Sequence, residues 1–343
     1  MNPVIVASIL SLASVLVPSK GWYKPGEPII VNVQGAADAG ETTLLLTDFA
    51  GKSFEAQGGA ENAIVPAGDQ QVDVRKIFPI LATPGTYLLY ALPQASKSIP
   101  DFAGTPLVIG VRDDRRRGAP PGAMVVKVEP LVYATLTTEK GPLTIAFFYD
   151  VAPHTTANFI NLSSSGFYNG LTFHRIVPGF VVQGGDPRGD GSGGPGYMID
   201  AEFNDRPHEE GVMSMARSGD PNEASGAPPR PEFANSAGSQ FFICLDYLAT
   251  KQLDRRYTGF GRVIEGMEAA KQLAAVPLAD QRTGRPQQPP LIQRIDIKPV
   301  TAQENPYASL QQMARPSDSL IPPTTQPVGD VPAATTAPVS VAP

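Results

Sequence analysis

Two stretches of the chain bring charged, amide and aromatic side chains close enough in sequence to build a site. Residues 173–186 read FHRIVPGFVVQGGD, and residues 215–217 and 235–243 read MAR and NSAGSQFFI. A shorter piece follows, with Leu253, Asp254 and Tyr257. Arg175 suits the centre of such a set, because an arginine stays protonated and presents a rigid fork of hydrogen-bond donors. The pattern indicates chemistry that uses a fixed cation beside an apolar surface.

The composition argues against metal and cysteine chemistry. The chain has one cysteine, Cys244, and three histidines, His154, His174 and His208. One cysteine excludes an intrachain disulfide framework and a multi-cysteine zinc site, and so few histidines argue against a His-rich metal centre. Cys244 follows Phe-Phe-Ile and is predicted to be a buried strand residue. His174 is predicted to pack or to hydrogen-bond rather than to act as a general base. We therefore expect no metal and no other cofactor.

The order and spacing of these three pieces resemble the cyclophilin family of peptidyl-prolyl cis-trans isomerases. The resemblance covers about half of the chain. It implies a mainly β fold, a closed antiparallel barrel of eight strands capped by two helices. The residues themselves predict one helix that is opened by Pro153 and ends at Ser165, and a second helix from Glu265 to Ala275.

The activity implied by this resemblance is rotation about X–Pro peptide bonds. Rotation breaks the amide resonance against a barrier of roughly 18–20 kcal/mol, but no covalent bond is made or broken. A nucleophile, a metal and a cofactor are therefore unnecessary. The site must instead bind the twisted amide more tightly than either planar form. A cationic donor aimed at the prolyl nitrogen and an apolar pocket around the proline ring would do so.

The resemblance also assigns a role to each candidate site residue. In the catalytic set, Arg175 stabilises the twisted amide, Gln183 supports the arginine and the substrate carbonyl, and Phe180 belongs to the proline pocket. The substrate-binding residues complete that pocket or line an extended peptide groove: Val181, Phe242 and Leu253 in the pocket, Tyr257 at its flank, and Ala216, Arg217 and Gln240 in the groove.

The chain departs from the family pattern at several positions. Tyr257 stands where many members have histidine, Gln252 where many have tryptophan, and Val181 where methionine is frequent. A tyrosine can still flank the pocket and donate a hydrogen bond, so we expect activity to be kept. Residues 218–234 form a longer segment than most members have here. We expect a tolerated surface insertion, and the alternative is that this insertion shapes specificity or folds over the site.

Charge and hydropathy limit the classes of partner. The net charge of −6 argues against a general nucleic-acid binder, which needs a basic face. No apolar run reaches the roughly 18 residues of an ordinary membrane-spanning helix. We therefore expect proline-containing polypeptides as partners, no nucleic acid, and a monomeric protein.

Composition divides the chain into five segments. Residues 1–20 are a candidate signal peptide, because the apolar run 4–17 has the length of a signal-peptide core, although no basic residue precedes it. A buried first strand is the alternative. Residues 21–111 show period-two patterning between Pro and Gly turns, which predicts a small β-sandwich loosely resembling immunoglobulin-like modules. A linker (112–123), the isomerase-like domain (124–301) and a disordered tail rich in Pro, Thr and Ala (302–343) follow.

Together these features predict an exported prolyl isomerase that assists the folding of other exported proteins. Its place in the cell has two alternatives. The protein could associate with a membrane or the cell envelope through the N-terminal segment, or it could be cytoplasmic. Two other classes of function stay open. One is a non-catalytic peptide-binding or scaffold protein that uses the same groove, and the other is a surface module that binds through its N-terminal sandwich.

Overall fold

The computed structural model describes residues 15–34, 40–93, 99–114, 119–223 and 229–314. The strands are β1 Leu16–Pro18, β2 Trp22–Tyr23, β3 Ile30–Val33, β4 Thr42–Asp48, β5 Ser53–Phe54, β6 Ile64–Val65, β7 Gln70–Asp73, β8 Gly85–Pro93, β9 Ala103–Asp113, β10 Met124–Pro130, β11 Val132–Thr138, β12 Gly141–Phe147, β13 Arg175–Val177, β14 Val181–Gly184, β15 Val212–Met215, β16 Phe241–Cys244, β17 Gly259–Glu265, β18 Leu278–Asp280, β19 Arg285–Pro286 and β20 Ile292–Pro299. The α-helices are α1 Val74–Ile77, α2 Pro153–Ser164, α3 Pro231–Ala234, α4 Tyr247–Thr250, α5 Met267–Ala274 and α6 Pro306–Ala314. Short 3₁₀ helices cover Ala60–Ala63, Pro79–Ala82, Ile99–Asp101 and Lys251–Leu253.

The second half of the chain forms an eight-stranded antiparallel sheet that curls into a half-barrel. Its strand order is β13-β14-β16-β15-β17-β12-β11-β20, and helices α2 and α5 pack against it. The predicted mainly β fold, the eight antiparallel strands and the two helices are confirmed. Inside the barrel, Phe159 of α2 packs against the rings of Tyr168, Phe241 and Phe260 at centroid distances of 5.1, 5.4 and 5.1 Å. These aromatic contacts attach the helix to three separate parts of the sheet region.

The two ends of this sheet meet through irregular backbone rather than through a paired ladder of β13 and β20. The amide of Gly170 donates to the carbonyl of Ile292 at 2.8 Å, and the amide of Ile292 donates to Leu171 at 2.7 Å. The amide of Phe173 donates to Pro290 at 2.8 Å. These bonds join the segments that lead into the two end strands. Full closure of the barrel stays a prediction.

Helix α2 begins at a proline and is capped from a distant loop. Pro153 occupies its first turn, where a missing amide N–H costs nothing. The carboxylate of Glu202 accepts from the amides of His154 at 3.1 Å and Thr155 at 2.7 Å. A carboxylate satisfies unpaired donors there and interacts favourably with the helix dipole. The cap ties the helix to the loop that runs behind the candidate site.

The first half of the chain forms two further antiparallel sheets around a separate core. One has three strands in the order β1-β3-β7, and the other has the order β2-β10-β9-β8-β4-β5, with β6 also paired to β4. Buried aliphatic residues from both sheets form this core, among them Val31, Leu46, Leu89 and Ile109. The period-two pattern correctly predicted strands here, because alternate residues face this core. Their arrangement as an immunoglobulin-like sandwich stays a prediction.

Strand β10 lies in this first region, although its residues were assigned to the isomerase-like domain. Met124–Pro130 pairs antiparallel with β9 along its whole length, and its Val126 and Val128 are buried in the N-terminal core. The predicted linker 112–123 therefore does not separate two sheets: its residues 112 and 113 end β9, which pairs with β10 directly after it, and residues 115–118 lie outside the described residues. Charged residues followed by Pro-Pro-Gly suit a hairpin loop as well as a linker, so composition could not separate the two.

The core of the barrel also includes residues of the first region. Leu88, Tyr90 and Val108, on the face of the seven-stranded sheet opposite the N-terminal core, pack in the same cluster as the barrel residues Phe147 and Phe148. Side chains on successive strand positions point to opposite faces, so one sheet serves both cores. The junction therefore resembles the inside of a domain rather than a contact between independent ones.

Arg112 adds a polar connection across the same junction. Its guanidinium donates to the carbonyl of Gly85 at 2.6 Å and to the hydroxyl of Thr86 at 2.5 Å, both in the first region. It also donates to the carbonyl of Tyr149 at 3.3 Å in the second region. Burial lowers the pKa of Arg112, and the nearby carboxylates of Asp150 and Glu202 oppose that shift.

The segment predicted to be disordered begins with a docked helix. Composition predicts disorder from residue 302, and this prediction is wrong for Pro306–Ala314, whose Tyr307 and Leu310 are buried. The Tyr307 hydroxyl accepts from the amide of Phe147 at 3.0 Å and donates to the carbonyl of Val132 at 2.7 Å. Two buried apolar residues are enough to fix a short helix. The mean composition of a segment rich in Pro and Thr does not reveal them. Residues 315–343 lie outside the described residues.

The predicted leader 1–20 overlaps a folded strand. Residues 1–14 lie outside the described residues, but Leu16–Pro18 is strand β1, which pairs antiparallel with β3. Leu16 is fully buried in the N-terminal core. The alternative reading, a buried first strand, is therefore correct for residues 16–18. In the ranges that the structure describes, no helix has the length and hydropathy needed to cross a membrane.

The buried Tyr307 hydroxyl provides a test of the docked helix. Tyr307→Phe removes the partner of two backbone groups, and a buried unsatisfied group costs about 1–3 kcal/mol. We expect the free energy of unfolding in urea to fall by about that amount, with the dependence on denaturant concentration unchanged. A variant as stable as the wild type would show that the two hydrogen bonds of the Tyr307 hydroxyl do not stabilise the docked helix.

Candidate active site

Strand register places the predicted catalytic residues side by side. Arg175 on β13 lies directly opposite Gln183 on β14, and Gln183 lies opposite Phe242 on β16. Residues directly opposite each other in antiparallel strands project from the same face of a sheet. The three side chains therefore form a row across three neighbouring strands. Strand β16 is distant in sequence from β14: Gln240, the residue before β16, is 57 positions after Gln183.

A tight hairpin makes this register. Strands β13 and β14 pair up to Val177 opposite Val181, which leaves Pro178, Gly179 and Phe180 as the connection. Gly179 has a φ of +70°, a left-handed conformation that glycine adopts without strain. The amide of Phe180 donates to Val177 at 2.9 Å, and the carbonyl of Phe180 accepts from Leu245 at 2.9 Å. Phe180 is thus held half-buried at the edge of the site.

The Arg175 guanidinium is held by a line of hydrogen bonds between side chains. Its Nη1 donates to Gln183 Oε1 at 3.2 Å, and Gln183 Nε2 donates to Gln240 Oε1 at 3.0 Å. Gln240 Nε2 then donates to the carbonyls of Gly191 and Gly193 at 3.0 and 2.8 Å. Each amide accepts on one side and donates on the other, so the line is fully paired from the arginine to the loop. The arrangement orients the arginine relative to the sheet.

Three of the residues predicted for the proline pocket are buried in the barrel core. Val181, Phe242 and Leu253 are buried, with 2%, 4% and 9% of their surface exposed. Tyr257 meets Phe242 edge-to-face with ring centroids 5.7 Å apart. The resulting surface is apolar and lies next to Arg175 through the β14 register.

A groove lies beside Gln183, along the loop that follows β14. It has a volume of about 530 Å³, and its lining includes Gln183, Ala216, Arg217, Gln240 and residues 191–198. The amide of Ala216 donates to the carbonyl of Gln240 at 2.9 Å, which joins two of the lining segments. The groove therefore contains all three residues that were predicted for it.

Sequence reasoning missed a Ser–His–Asp set behind Phe242, in which the serine and the histidine are buried. Ser214 Oγ and His208 Nε2 are 3.0 Å apart, and His208 Nδ1 and Asp254 Oδ1 are also 3.0 Å apart. The His208 ring stacks on Phe242 with centroids 6.3 Å apart and the planes inclined by 25°. Because the Ser214 side chain is fully buried, it cannot meet a peptide from solvent. The set therefore supports Phe242 from behind. No local sequence motif could have revealed it, because His208 and Asp254 are 46 positions apart.

Burial favours the neutral forms of His174, His208 and Cys244. Burial lowers the pKa of His208, although the hydrogen bond and charge of Asp254 oppose this shift. Burial also lowers the pKa of His174, whose two ring nitrogens have no hydrogen-bond partner. Burial raises the pKa of the Cys244 thiol far above its usual value. Neither histidine fits a general base exposed to substrate, and Cys244 does not fit a nucleophile.

Metal binding has no support within the residues that the structure describes. No group of three or more His, Cys, Asp or Glu side chains is arranged there to hold an ion.

The two buried histidines predict a pH dependence of stability. Their pKa values in the folded protein lie below the ordinary histidine value of about 6.5, so the unfolded chain binds more protons as the pH falls below that value. Stability should therefore decrease on acidification from pH 7 to 5, by up to about 1.4 kcal/mol per pH unit for each histidine. Urea unfolding at several pH values should show this slope, and the double variant His174→Asn/His208→Asn should reduce it. An equal slope in both proteins would contradict the assignment.

Comparisons with known proteins agree with this geometry. The sequence pattern described as cyclophilin type peptidyl-prolyl cis-trans isomerase/CLD matches residues 133–297. A peptidyl-prolyl cis-trans isomerase of Synechococcus elongatus is 44% identical over 151 residues, which are 44% of this chain and 92% of the relative. Peptidyl-prolyl cis-trans isomerase B of Bacillus subtilis is 44% identical over 127 residues, 36% of this chain and 78% of the relative.

A solved structure is also similar to this chain: a crystal structure of a cyclophilin type peptidyl-prolyl cis-trans isomerase of Cryptosporidium parvum. The two sequences are 32% identical, and the superposition has a TM-score of 0.42. It covers 49% of this chain and 98% of the Cryptosporidium parvum chain. The identity to the Synechococcus elongatus enzyme, which extends over almost all of that relative, decides the family. This chain belongs to the cyclophilin-type peptidyl-prolyl cis-trans isomerases.

Proposed function

We propose that this isomerase acts on X–Pro bonds of extended or unfolded polypeptides, with Arg175 stabilising the twisted prolyl amide. The observation that carries the proposal is the position of the Arg175 guanidinium, held by Gln183 beside the pocket of Val181, Phe242 and Leu253. A cation is thereby fixed next to a surface that fits a proline ring.

The fixed cation favours the transition state over both planar forms of the substrate. Twisting the amide removes its resonance, and the prolyl nitrogen becomes pyramidal and gains a lone pair that can accept a hydrogen bond. A donor already oriented toward that nitrogen pays little reorganisation when the lone pair develops. Because arginine stays protonated, the donor is available throughout the ordinary pH range. Interactions made only with the twisted amide raise kcat rather than lowering KM.

The apolar pocket has the complementary task of holding the ring while the preceding residue turns. The contacts of Phe242, Val181 and Leu253 with a proline ring are alike in the planar and twisted states. They therefore contribute uniform binding, which appears in KM. The groove beside Gln240 and Ala216 would hold the extended part of the substrate that precedes the proline. That part then stays in place while the X–Pro bond rotates.

We also propose that the protein is exported and assists the folding of other exported proteins. The apolar run at residues 4–17 supports export, and a cleavage before residue 15 would leave the paired strand Leu16–Pro18 intact. Cell fractionation followed by N-terminal sequencing tests the proposal. An intact chain that begins at Met1 in the cytoplasm would contradict it, and an intact chain in the membrane fraction would favour anchoring.

The arginine is tested by substitution in the full chain, since the shared core argues against using residues 124–301 alone. Arg175→Ala should lower kcat/KM for a proline-containing peptide at least tenfold, which is about 1.4 kcal/mol of transition-state stabilisation. Arg294→Ala is the matched control, because Arg294 forms an exposed pair with Asp296 on β20. Chelator should leave the rate unchanged. Full activity of Arg175→Ala would overturn the mechanism and would favour a groove that only binds peptides.

A further inference from the structure

The insertion between β15 and β16 reaches the proline pocket through one buried carboxylate. Its residues 218–223 include Glu223, whose side chain is only 9% exposed. Arg217 Nη2 donates to Glu223 Oε1 at 2.7 Å and to Oε2 at 2.9 Å. Arg256 Nε donates to the same Oε1 at 2.7 Å. Glu223 therefore bridges an arginine that precedes the insertion and an arginine that lies 33 positions further along the chain.

The bridged Arg217 forms part of the pocket wall. Its side chain is 2% exposed, and its guanidinium carbon lies 4.3 Å from the centroid of the Tyr257 ring. Tyr257 in turn meets Phe242 edge-to-face at 5.7 Å. A continuous series of contacts thus runs from Glu223 through Arg217 and Tyr257 to Phe242. Stacking of a guanidinium on an aromatic face fixes the plane of both groups.

Charge explains why a carboxylate is needed at this position. Arg217 Nε donates to the backbone carbonyl of Arg256 at 3.1 Å, so the two arginines are close neighbours. Without an anion between them, their guanidinium groups would repel each other in a largely buried place. Burial alone would raise the pKa of Glu223, but the hydrogen bonds and charges of Arg217 and Arg256 lower it overall. Glu223 is therefore ionised at neutral pH.

A second ion pair holds the insertion independently of this bridge. Asp220, whose side chain is 1% exposed, accepts from Arg230 Nη2 at 2.8 Å and from the amides of Asn222 and Arg230 at 2.9 and 3.0 Å. The amide of Ser218 donates to Ser236 Oγ at 2.8 Å. These bonds tie the two arms of the insertion together. The local fold of the insertion consequently does not depend on Glu223 alone.

We propose that Glu223 is a positioning residue for the isomerase site, which fixes the Arg217–Tyr257 wall of the proline pocket from the insertion. The proposal rests on the proposed function and adds a residue outside the predicted site. Because Glu223 acts on the wall that grips the ring in every state, its loss weakens uniform binding. The effect should therefore appear in KM and in peptide affinity rather than in kcat.

The test compares two changes of a carboxylate into an amide. Glu223→Gln removes the bridging charge, and Asp205→Asn removes the exposed pair of Asp205 with Arg255, the residue beside Arg256. For a proline-containing tetrapeptide, Glu223→Gln should raise KM and the dissociation constant from titration calorimetry about fivefold, with kcat within about twofold of the wild type. Asp205→Asn should match the wild type in both constants. Circular dichroism checks that both variants are folded.

Other outcomes are decisive against the proposal. Constants for Glu223→Gln equal to those of Asp205→Asn would overturn it, and so would a lower kcat with unchanged KM. If Glu223→Gln does not fold, Arg256→Gln replaces it, because this change keeps the Glu223–Arg217 pair. Arg256→Gln should raise KM two- to threefold, and no change would count against the bridge. A wild-type protein that binds the peptide without turning it over would refute the proposed function, while the affinities would still decide the role of Glu223.

Discussion

A permanently charged guanidinium must stand beside an apolar pocket in this site, and the remaining structure depends on holding it there. A charged group at the edge of an apolar surface is stable only if its donors are satisfied and its direction is fixed. The register of β13 against β14 supplies Gln183 for this purpose, and Gln240 connects Gln183 to the loop backbone. The strands thus provide both the partner of the arginine and the floor of the pocket.

Phe242 is the central residue of the apolar pocket, as Arg175 is of the polar part of the site. Two side chains with polar groups support its ring from different directions. His208 stacks behind its ring, and Tyr257 meets its edge. The histidine is itself held by Ser214 and Asp254, and the tyrosine is covered by Arg217. Aromatic rings flanked in this way lose much of their freedom to rotate. A pocket built from pre-oriented rings binds a small rigid ligand with less loss of entropy.

The isomerase region is not an isolated unit in this chain. One face of the seven-stranded sheet contributes to the core that contains the barrel, and Tyr307 of α6 hydrogen-bonds into β12 and to the residue that opens β11. Arg112 joins backbone groups of both regions. Removing the first region would expose Leu88, Tyr90 and Val108 together with their barrel partners. The N-terminal region and α6 are therefore structural parts of the enzyme, whatever further role they have.

Much of the site could be predicted from the sequence, because its central residues lie within short, ordered stretches. The nine residues from Arg175 to Gln183, with a Pro-Gly turn between the two ends, determine a hairpin and therefore a pairing. The predicted strands of the first region likewise follow from period-two alternation. Both are local patterns, since a turn and its flanking strands need only neighbouring residues.

Long-range pairing decided the rest. His208, Ser214 and Asp254 meet only after β15 is placed beside β16, and Glu223 finds Arg256 only when the insertion folds back on the chain. Met124–Pro130 has the same alternating pattern whichever sheet it joins, so only the burial of Val126 and Val128 assigns it to the first region. Likewise, the composition of the segment after residue 301 is that of a disordered tail. Tyr307 holds the start of this segment only because its hydroxyl reaches the backbone of Val132 and Phe147 in the folded barrel. A sequence specifies local conformation through neighbouring residues, whereas these contacts depend on which distant surfaces become complementary once the sheets have formed.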